Sequence, residues 1–169
     1  MIPVYQSYFE YPESDCMRAV VASLLELALD DVPNFVMAKD WESSVKRFFK
    51  RHGYKYVCKV NNVSVANFPY TDFEKGIVEE DIFSDIVSGG GIDGYFWADV
   101  YSEDNDIEKL KLDGGYMPKL HAVVMDSNFR VVHDPYCVEG RGIFTGIYPF
   151  ASEVGYGGIA YINLIKKIK

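Results

Sequence analysis

Residues 16–29 read CMRAVVASLLELAL, and this run is the strongest structural signal in the chain. It is rich in residues that favour helices, and few polar side chains interrupt it. A helix that is apolar on nearly every side is buried in the core of a protein. We therefore predict a central helix over this run, with Ser14 or Asp15 as its N-cap. We expect this helix to end before Pro33, because proline does not continue a helix.

The rest of the chain predicts two more helices, the second of them short, and several strands. Apolar residues at helical spacing predict a helix over residues 40–51, which Gly53 would end. Alternation predicts a strand over residues 54–60, and residues 72–88 are expected to contain a short helix. Further strands are predicted at residues 95–100, 121–125, 129–134 and 159–165. The predicted fold class is α+β, with the buried helix packed on a C-terminal antiparallel sheet in a single domain, residues 1–169.

Residues 121–134 read HAVVMDSNFRVVHD and suit a β-hairpin. A two-residue loop at positions 127–128 gives a register in which His121 faces Asp134. Directly opposed residues hold their Cβ atoms about 5 Å apart on one face of a sheet. This register therefore predicts an imidazole beside a carboxylate. A shift of one residue would bring His133, rather than His121, to that face.

Cys16 stands at the start of the predicted buried helix. A helix N-terminus and a nearby imidazolium can lower a thiol pKa from about 8.5 to roughly 4. The helix end supplies only about 1 kcal/mol of this effect, so a histidine must supply most of it. We expect Cys16 to be a nucleophile, His121 its base and Asp134 the group that orients the base. The backbone amide of Cys16 and the side chain of Gln6 are candidate donors to an oxyanion.

Composition and charge narrow the class of protein. The 169 residues are 49% hydrophobic and 25% charged, as in ordinary globular proteins. A net charge of −8 argues against a nucleic-acid partner, because such binding needs many basic side chains. No apolar run is long enough to span a bilayer, the first residues lack a secretion-signal pattern, and the three cysteines are widely spaced. We expect a cytoplasmic protein without a membrane partner. With no CxxC pair, no metal or other cofactor is expected.

The order of these residues resembles that of papain-like peptidases, in which a cysteine opens a buried helix and His and Asp or Asn follow late on adjacent strands. The likeness covers about residues 5–33 and 95–147 and is closest to a small bacterial and phage branch, akin to the C39 bacteriocin-processing peptidases. The stretches that carry it are DCMRA at 15–19, LDDVP at 29–33, HAVV at 121–124 and VHDP at 132–135. Two features depart from the family pattern: Gln6 lies ten residues before the cysteine, and Met17 stands where an aromatic residue is common.

The resemblance implies a papain-like fold with Cys16 as nucleophile, His121 as base, Asp134 as orienting residue and Gln6 as oxyanion donor. It implies a thiol-dependent hydrolase or acyltransferase that acts on an amide or thioester. Its substrate would be a peptide, a protein or a small molecule in the cytoplasm of a bacterium or a phage-infected host. The fold also hosts transglutaminases, deamidases and inactive binding proteins, so it does not decide the reaction.

Simpler alternatives stay open beside these assignments. A cysteine such as Cys16 is often just a small buried apolar residue, and Asp134 before Pro135 suits a turn as well as an orienting role. The alternative function is a catalytically silent binding module, for example a phage or mobile-element protein that sequesters a host protein or a small signalling molecule. The acidic charge and the run Gly89–Gly91, interpreted as a mobile loop, favour that alternative.

Overall fold

The structure is a computed structural model that describes residues 1–8, 14–60, 80–102, 120–128, 130–136, 146–147 and 156–169. The helices are α1 (Cys16–Leu25), α2 (Trp41–Arg51) and α3 (Glu80–Val87), with 3-10 turns at Leu29–Asp31 and Phe35–Met37. The strands are β1 (Tyr54–Val60), β2 (Tyr95–Ser102), β3 (Leu120–Asp126), β4 (Arg130–His133), β5 (Gly146–Ile147) and β6 (Tyr156–Lys167). None of the helices in these ranges is long and apolar enough to cross a bilayer.

The strands form one antiparallel sheet in the order β1-β6-β2-β3-β4-β5. Side chains alternate between the two faces of a strand, and on each face of this sheet apolar side chains pack against a helix. Helices α1 and α2 pack on one face, against side chains that include Trp97 and Val124. Helix α3 packs on the other face through Ile82 and Ile86. The predicted α+β class is confirmed.

Helix α1 is shorter than predicted and begins differently. It ends at Leu25, because Glu26 takes the left-handed conformation (φ 56°) and its amide bonds back to the last turn. The Glu26 carboxylate is 2.8 Å from the Met1 ammonium. At the other end, Asp15 occupies the N-cap position, but its side chain does not cap the helix. It is fully buried and instead accepts hydrogen bonds from the backbone amides of Ser7 and Tyr8.

The predicted register of the hairpin is wrong. Strand β3 ends at Asp126 and β4 begins at Arg130, so the connection has three residues rather than two. The Asp126 carboxylate accepts from the amides of Asn128 and Arg130, which stabilises this wider turn. Met125 pairs with Val131, and a bulge then brings Val124 opposite His133. The ladder pairs that the structure records between these strands stop there.

Helix α2 and the strand after it match the sequence pattern closely. Val45, Phe48 and Phe49 are buried as predicted, and Gly53 has the expected positive φ of 83°. Trp41 differs, because it is 39% exposed instead of facing the core. The first part of the segment 72–88, which was expected to contain a helix, lies outside the described residues, and α3 accounts for its second part.

The glycine run between α3 and β2 is packed into the fold. The Gly90 amide bonds to the Ile86 carbonyl, and the Gly90 carbonyl accepts from the Ile165 amide of β6. A Cβ atom on Gly90 would lie 2.7 Å from the Asp85 carbonyl oxygen, and one on Gly91 would overlap the Tyr95 carbonyl. The interpretation of this run as a mobile loop therefore gives way to that of a tight connection which needs glycine.

We expect Gly91→Ala to lower the free energy of unfolding by about 1–3 kcal/mol, because the added methyl group overlaps backbone that cannot move alone. Chemical denaturation monitored by tryptophan fluorescence would measure the change. Ser88→Ala, at an exposed position of the same turn, is the control and should cost less than about 0.5 kcal/mol. Equal effects of the two substitutions would contradict the close contact at Gly91.

Candidate functional site

His121 and Asp134 are in direct contact. The Nε2 atom of His121 is 2.7 Å from Oδ1 of Asp134, and the two side chains are only 11% and 7% exposed. The contact forms where β3 begins and β4 has ended, just past the ladder pair of Val124 and His133. The expected pairing of imidazole and carboxylate is therefore present, although the register from which it was predicted is not.

Asp134 also shapes the chain around it. Its Oδ1 atom accepts a second hydrogen bond, from the Tyr136 amide at 2.8 Å. A side chain that bonds the backbone two residues ahead is typical of a turn at Asp-Pro. The Tyr136 ring packs edge-on to His121, with 6.0 Å between the ring centroids. The orienting position and the turn, which the sequence left as alternatives, thus coexist at this residue.

The Cys16 thiol completes the group. It lies at the first residue of α1 and shares a hydrogen bond with the His121 ring. The backbone amide of Ala122, the next residue of β3, also bonds to the sulfur. The structure therefore brings together three of the four residues singled out by the sequence.

The electrostatics of this group favour charge separation. Burial by itself raises the pKa of the Cys16 thiol, but the hydrogen bond and the charge of His121, together with the bond from the Ala122 amide, outweigh burial, so that the thiol pKa is lowered from its usual value. Burial likewise disfavours the charged form of His121, yet its bonds to Asp134 and Cys16 raise its pKa to about 10. At neutral pH both shifts favour a thiolate beside an imidazolium, and the two groups titrate as a coupled pair.

Gln6 lies close to this group, but its amide is already engaged. Its backbone N–H bonds to the Pro135 carbonyl, which places it beside the Asp134 segment. Its side chain is 6% exposed, and Nε2 donates to the Tyr8 carbonyl at 2.9 Å. Within the described residues its Oε1 atom has no hydrogen-bond partner. Nε2 carries two protons, so a role as oxyanion donor would use the second one and stays a prediction.

His133, the rival base, serves a structural purpose. Its Nε2 donates to the Val4 carbonyl at 2.8 Å, and its ring packs edge-on to Tyr5. Burial lowers its pKa, which suits a neutral ring. The Val4 amide donates to the Ser23 hydroxyl on α1 at 2.8 Å. These contacts attach the N-terminal segment both to α1 and to the end of β4.

A polar group that the sequence analysis missed lies in the same region. Asp99, Trp97, Asn163 and Tyr56 are buried and joined by hydrogen bonds. The charge of Asp99 acts on both His121 and Cys16. An aspartate in the otherwise apolar strand sequence 95–100 was the available signal, because a buried carboxylate is costly and marks a special environment.

Comparison of the chain with models of protein families, with curated proteins and with solved structures found no match. Functional assignment therefore depends on the chemistry of the residues themselves. Within the described part of the chain, His, Cys, Asp and Glu side chains do not form a group of three or more that is placed to hold a metal ion.

Proposed function

We propose that this protein is a thiol-dependent hydrolase or acyltransferase of papain-like architecture, which acts on an amide or thioester. The observation that carries the proposal is the contact of Cys16, His121 and Asp134, with 2.7 Å between the imidazole and the carboxylate. A nucleophile, a base and a group that orients the base are the parts that covalent acyl transfer requires.

The reaction would proceed in two halves. The Cys16 thiolate attacks the carbonyl carbon of the substrate, a carbon–sulfur bond forms, and the carbonyl oxygen becomes an oxyanion. The His121 imidazolium gives its proton to the leaving nitrogen or sulfur as the bond to the carbonyl carbon breaks. Water or an amine then loses a proton to His121 and attacks the acyl-enzyme, which releases Cys16. Asp134 keeps the imidazole in one orientation throughout.

The position of the thiol at the start of α1 supports this chemistry. The first amides of a helix have no partner within the helix and point out of its N-terminus. Asp15 does not cap α1, because its carboxylate bonds to the Ser7 and Tyr8 amides instead. The Cys16 amide is therefore the main candidate for stabilising the oxyanion, and Gln6 is the second.

The papain-like part of the proposal is supported by chain order and packing. The cysteine opens a helix early in the chain, and that helix packs on the apolar face of an antiparallel sheet. The histidine and the aspartate follow late, at β3 and just after β4. These features agree with the family resemblance of the sequence around Cys16 and His121.

Selective alkylation tests the proposal. The protein is treated with iodoacetamide at pH 6, and the modified cysteines are quantified by peptide mass spectrometry. We expect Cys16 to react at least about tenfold faster than Cys58, because alkylation requires the thiolate. Cys58 is an internal control: it is also partly exposed, and burial raises its pKa to about 11. Equal rates for the two cysteines would contradict the proposal.

A second measurement separates catalysis from the alternative of a silent binding module. On incubation with p-nitrophenyl acetate, the native protein should become acetylated at Cys16, release p-nitrophenol and continue to turn over. Cys16→Ala should show no acetylation at this position and no turnover. Fast alkylation of Cys16 without acetylation or turnover would support a binding module that keeps only the geometry of the site.

A further inference from the structure

A row of buried polar side chains crosses three strands next to the candidate site. The indole N–H of Trp97 donates to Oδ1 of Asp99 at 2.7 Å, and the Asn163 amide donates to Oδ2 at 2.9 Å. The Tyr56 hydroxyl in turn donates to Oδ1 of Asn163 at 2.6 Å. All four side chains are at most 8% exposed. A complete network of this kind fixes the carboxylate in one position.

Burial of the Asp99 carboxylate nevertheless costs free energy of desolvation. Its hydrogen-bond donors are neutral side chains, and the positive charge that acts on it is that of His121. Burial raises its pKa to about 6 in spite of these interactions. At pH 7 the side chain is therefore charged in the core, although a neutral side chain of the same shape would avoid the desolvation.

The position of Asp99 relates this charge to the candidate site. Asp99 pairs with Ala122 across β2 and β3. Ala122 directly follows His121, and its amide bonds to the Cys16 sulfur. The carboxylate thus lies one strand away from the backbone that holds the thiol and the imidazole. A negative charge there favours the imidazolium and disfavours the thiolate, and the Cys16 and His121 interactions with Asp99 have these signs.

We propose that Asp99 is a positioning residue for the Cys16–His121 pair, and that its fixed negative charge adds to the stabilisation of the imidazolium, disfavours the thiolate and so shifts the pH range in which the ion pair exists. This inference rests on the function proposed above. Trp97 and Asn163 hold the carboxylate in place, and Tyr56 fixes the orientation of the Asn163 amide. Asp99 does not touch the reacting atoms; it acts through its charge.

Two variants separate the charge of Asp99 from its hydrogen bonds. Asp99→Asn removes the charge, and the network can persist if the Asn163 amide turns over and the Tyr56 hydroxyl accepts from it. The exchange variant Asp99→Asn, Asn163→Asp keeps the hydrogen bonds donated by Trp97 and Tyr56 in their present direction. The bond between positions 99 and 163 also persists, but it reverses, because the amide now lies at position 99 and donates to the carboxylate at position 163. The exchange variant also keeps the net charge, but moves the carboxylate from β2 to β6, about 4.8 Å farther from β3. Asp93→Asn removes an exposed charge just before β2 and is the matched control.

The readout is the titration of the His121 ring by NMR above pH 6.5, where Asp99 is ionised. We expect Asp99→Asn to lower the apparent pKa of His121 by about one pH unit, the exchange variant to lower it by less than half as much, and Asp93→Asn to leave it unchanged. A stabilising role of Asp99 alone would change unfolding without moving this titration.

Three outcomes would overturn the inference: no shift in Asp99→Asn, equal shifts in Asp99→Asn and the exchange variant, or a comparable shift in Asp93→Asn. The same data distinguish a failure of the proposed function from a failure of the role of Asp99. An ordinary pKa for His121 in the unmodified protein would contradict the proposed function itself. A high pKa that does not respond to Asp99 would contradict only the role of Asp99.

Discussion

Replacing His121 with alanine is expected to slow the alkylation of Cys16 at pH 6.5 by about 100-fold or more. In the native structure the hydrogen bond and charge of His121, together with the Ala122 amide bond, outweigh burial and lower the thiol pKa. Without the imidazole, the Ala122 amide is the group left to oppose burial, so we expect the thiol pKa to return to its usual value or above it, with about 1% of the thiol ionised at pH 6.5. The rate of iodoacetamide labelling at Cys16, followed by mass spectrometry, measures the change.

His52→Ala is the control for this substitution. His52 is exposed after the end of α2, where its ring packs on Phe48, and the labelling rate of Cys16 should not respond to it. Labelling over pH 5–10 would also show the direction of the effect. The pH at which the Cys16 labelling rate is half its maximum should move to a higher value in His121→Ala and stay unchanged in His52→Ala. An unchanged value in His121→Ala would mean that the imidazole does not activate the thiol.

Asp134→Ala should have the second largest effect. The carboxylate bonds to Nε2 of His121 and raises its pKa, so its removal should lower the His121 pKa by about one to three units. A less basic imidazole stabilises the thiolate less, and we expect Cys16 labelling at pH 6.5 to slow about tenfold or more. The substitution also removes the acceptor of the Tyr136 amide, so the ring would lose part of its support.

Asp134→Asn separates the charge of this residue from its orienting contact. An asparagine oxygen can still accept from Nε2 of His121 and from the Tyr136 amide, but it carries no charge. We therefore expect its labelling rate to lie between those of the native protein and Asp134→Ala. If both variants matched the native rate, the 2.7 Å contact would have no influence on the thiol.

Periodicity in the sequence predicted the regular elements well, because each depends on its own residues. The strand over residues 54–60 is confirmed as β1, and buried Val45, Phe48 and Phe49 follow the helical spacing of α2. Strands β3 and β4 also lie where β-branched runs predicted them, within one residue at most ends. The class α+β then follows from the order of helices and strands.

Features that depend on single side chains in three dimensions could not be predicted in the same way. The hairpin gains a loop residue because Asp126 bonds two amides across the turn, and the bulge beyond it shifts the pairing again. The sequence predicts Asp15 as a helix N-cap, but its carboxylate instead accepts hydrogen bonds from the backbone amides of Ser7 and Tyr8. Both outcomes depend on contacts for which local sequence carries no periodic signal.

The sequence predicted which residues form the candidate site, but it did not predict the buried polar side chains that lie beside them. Cys16, His121 and Asp134 stood out by residue type and position, and the structure brings them together. Asp99 on β2 and Asn163 on β6 are 64 residues apart in the chain. Their contact appears only once the order of the sheet is known, because β6 inserts between β1 and β2.

The charge of His121 at pH 8 tests the central claim most directly. NMR of the histidine rings over pH 5–11 should show His121 still protonated at pH 8 in the native protein, with an apparent pKa far above the usual 6.5. In Cys16→Ser, which removes the thiolate, that pKa should fall by more than one unit. A neutral His121 at pH 8, with the same titration in both proteins, would contradict an ion pair between these residues.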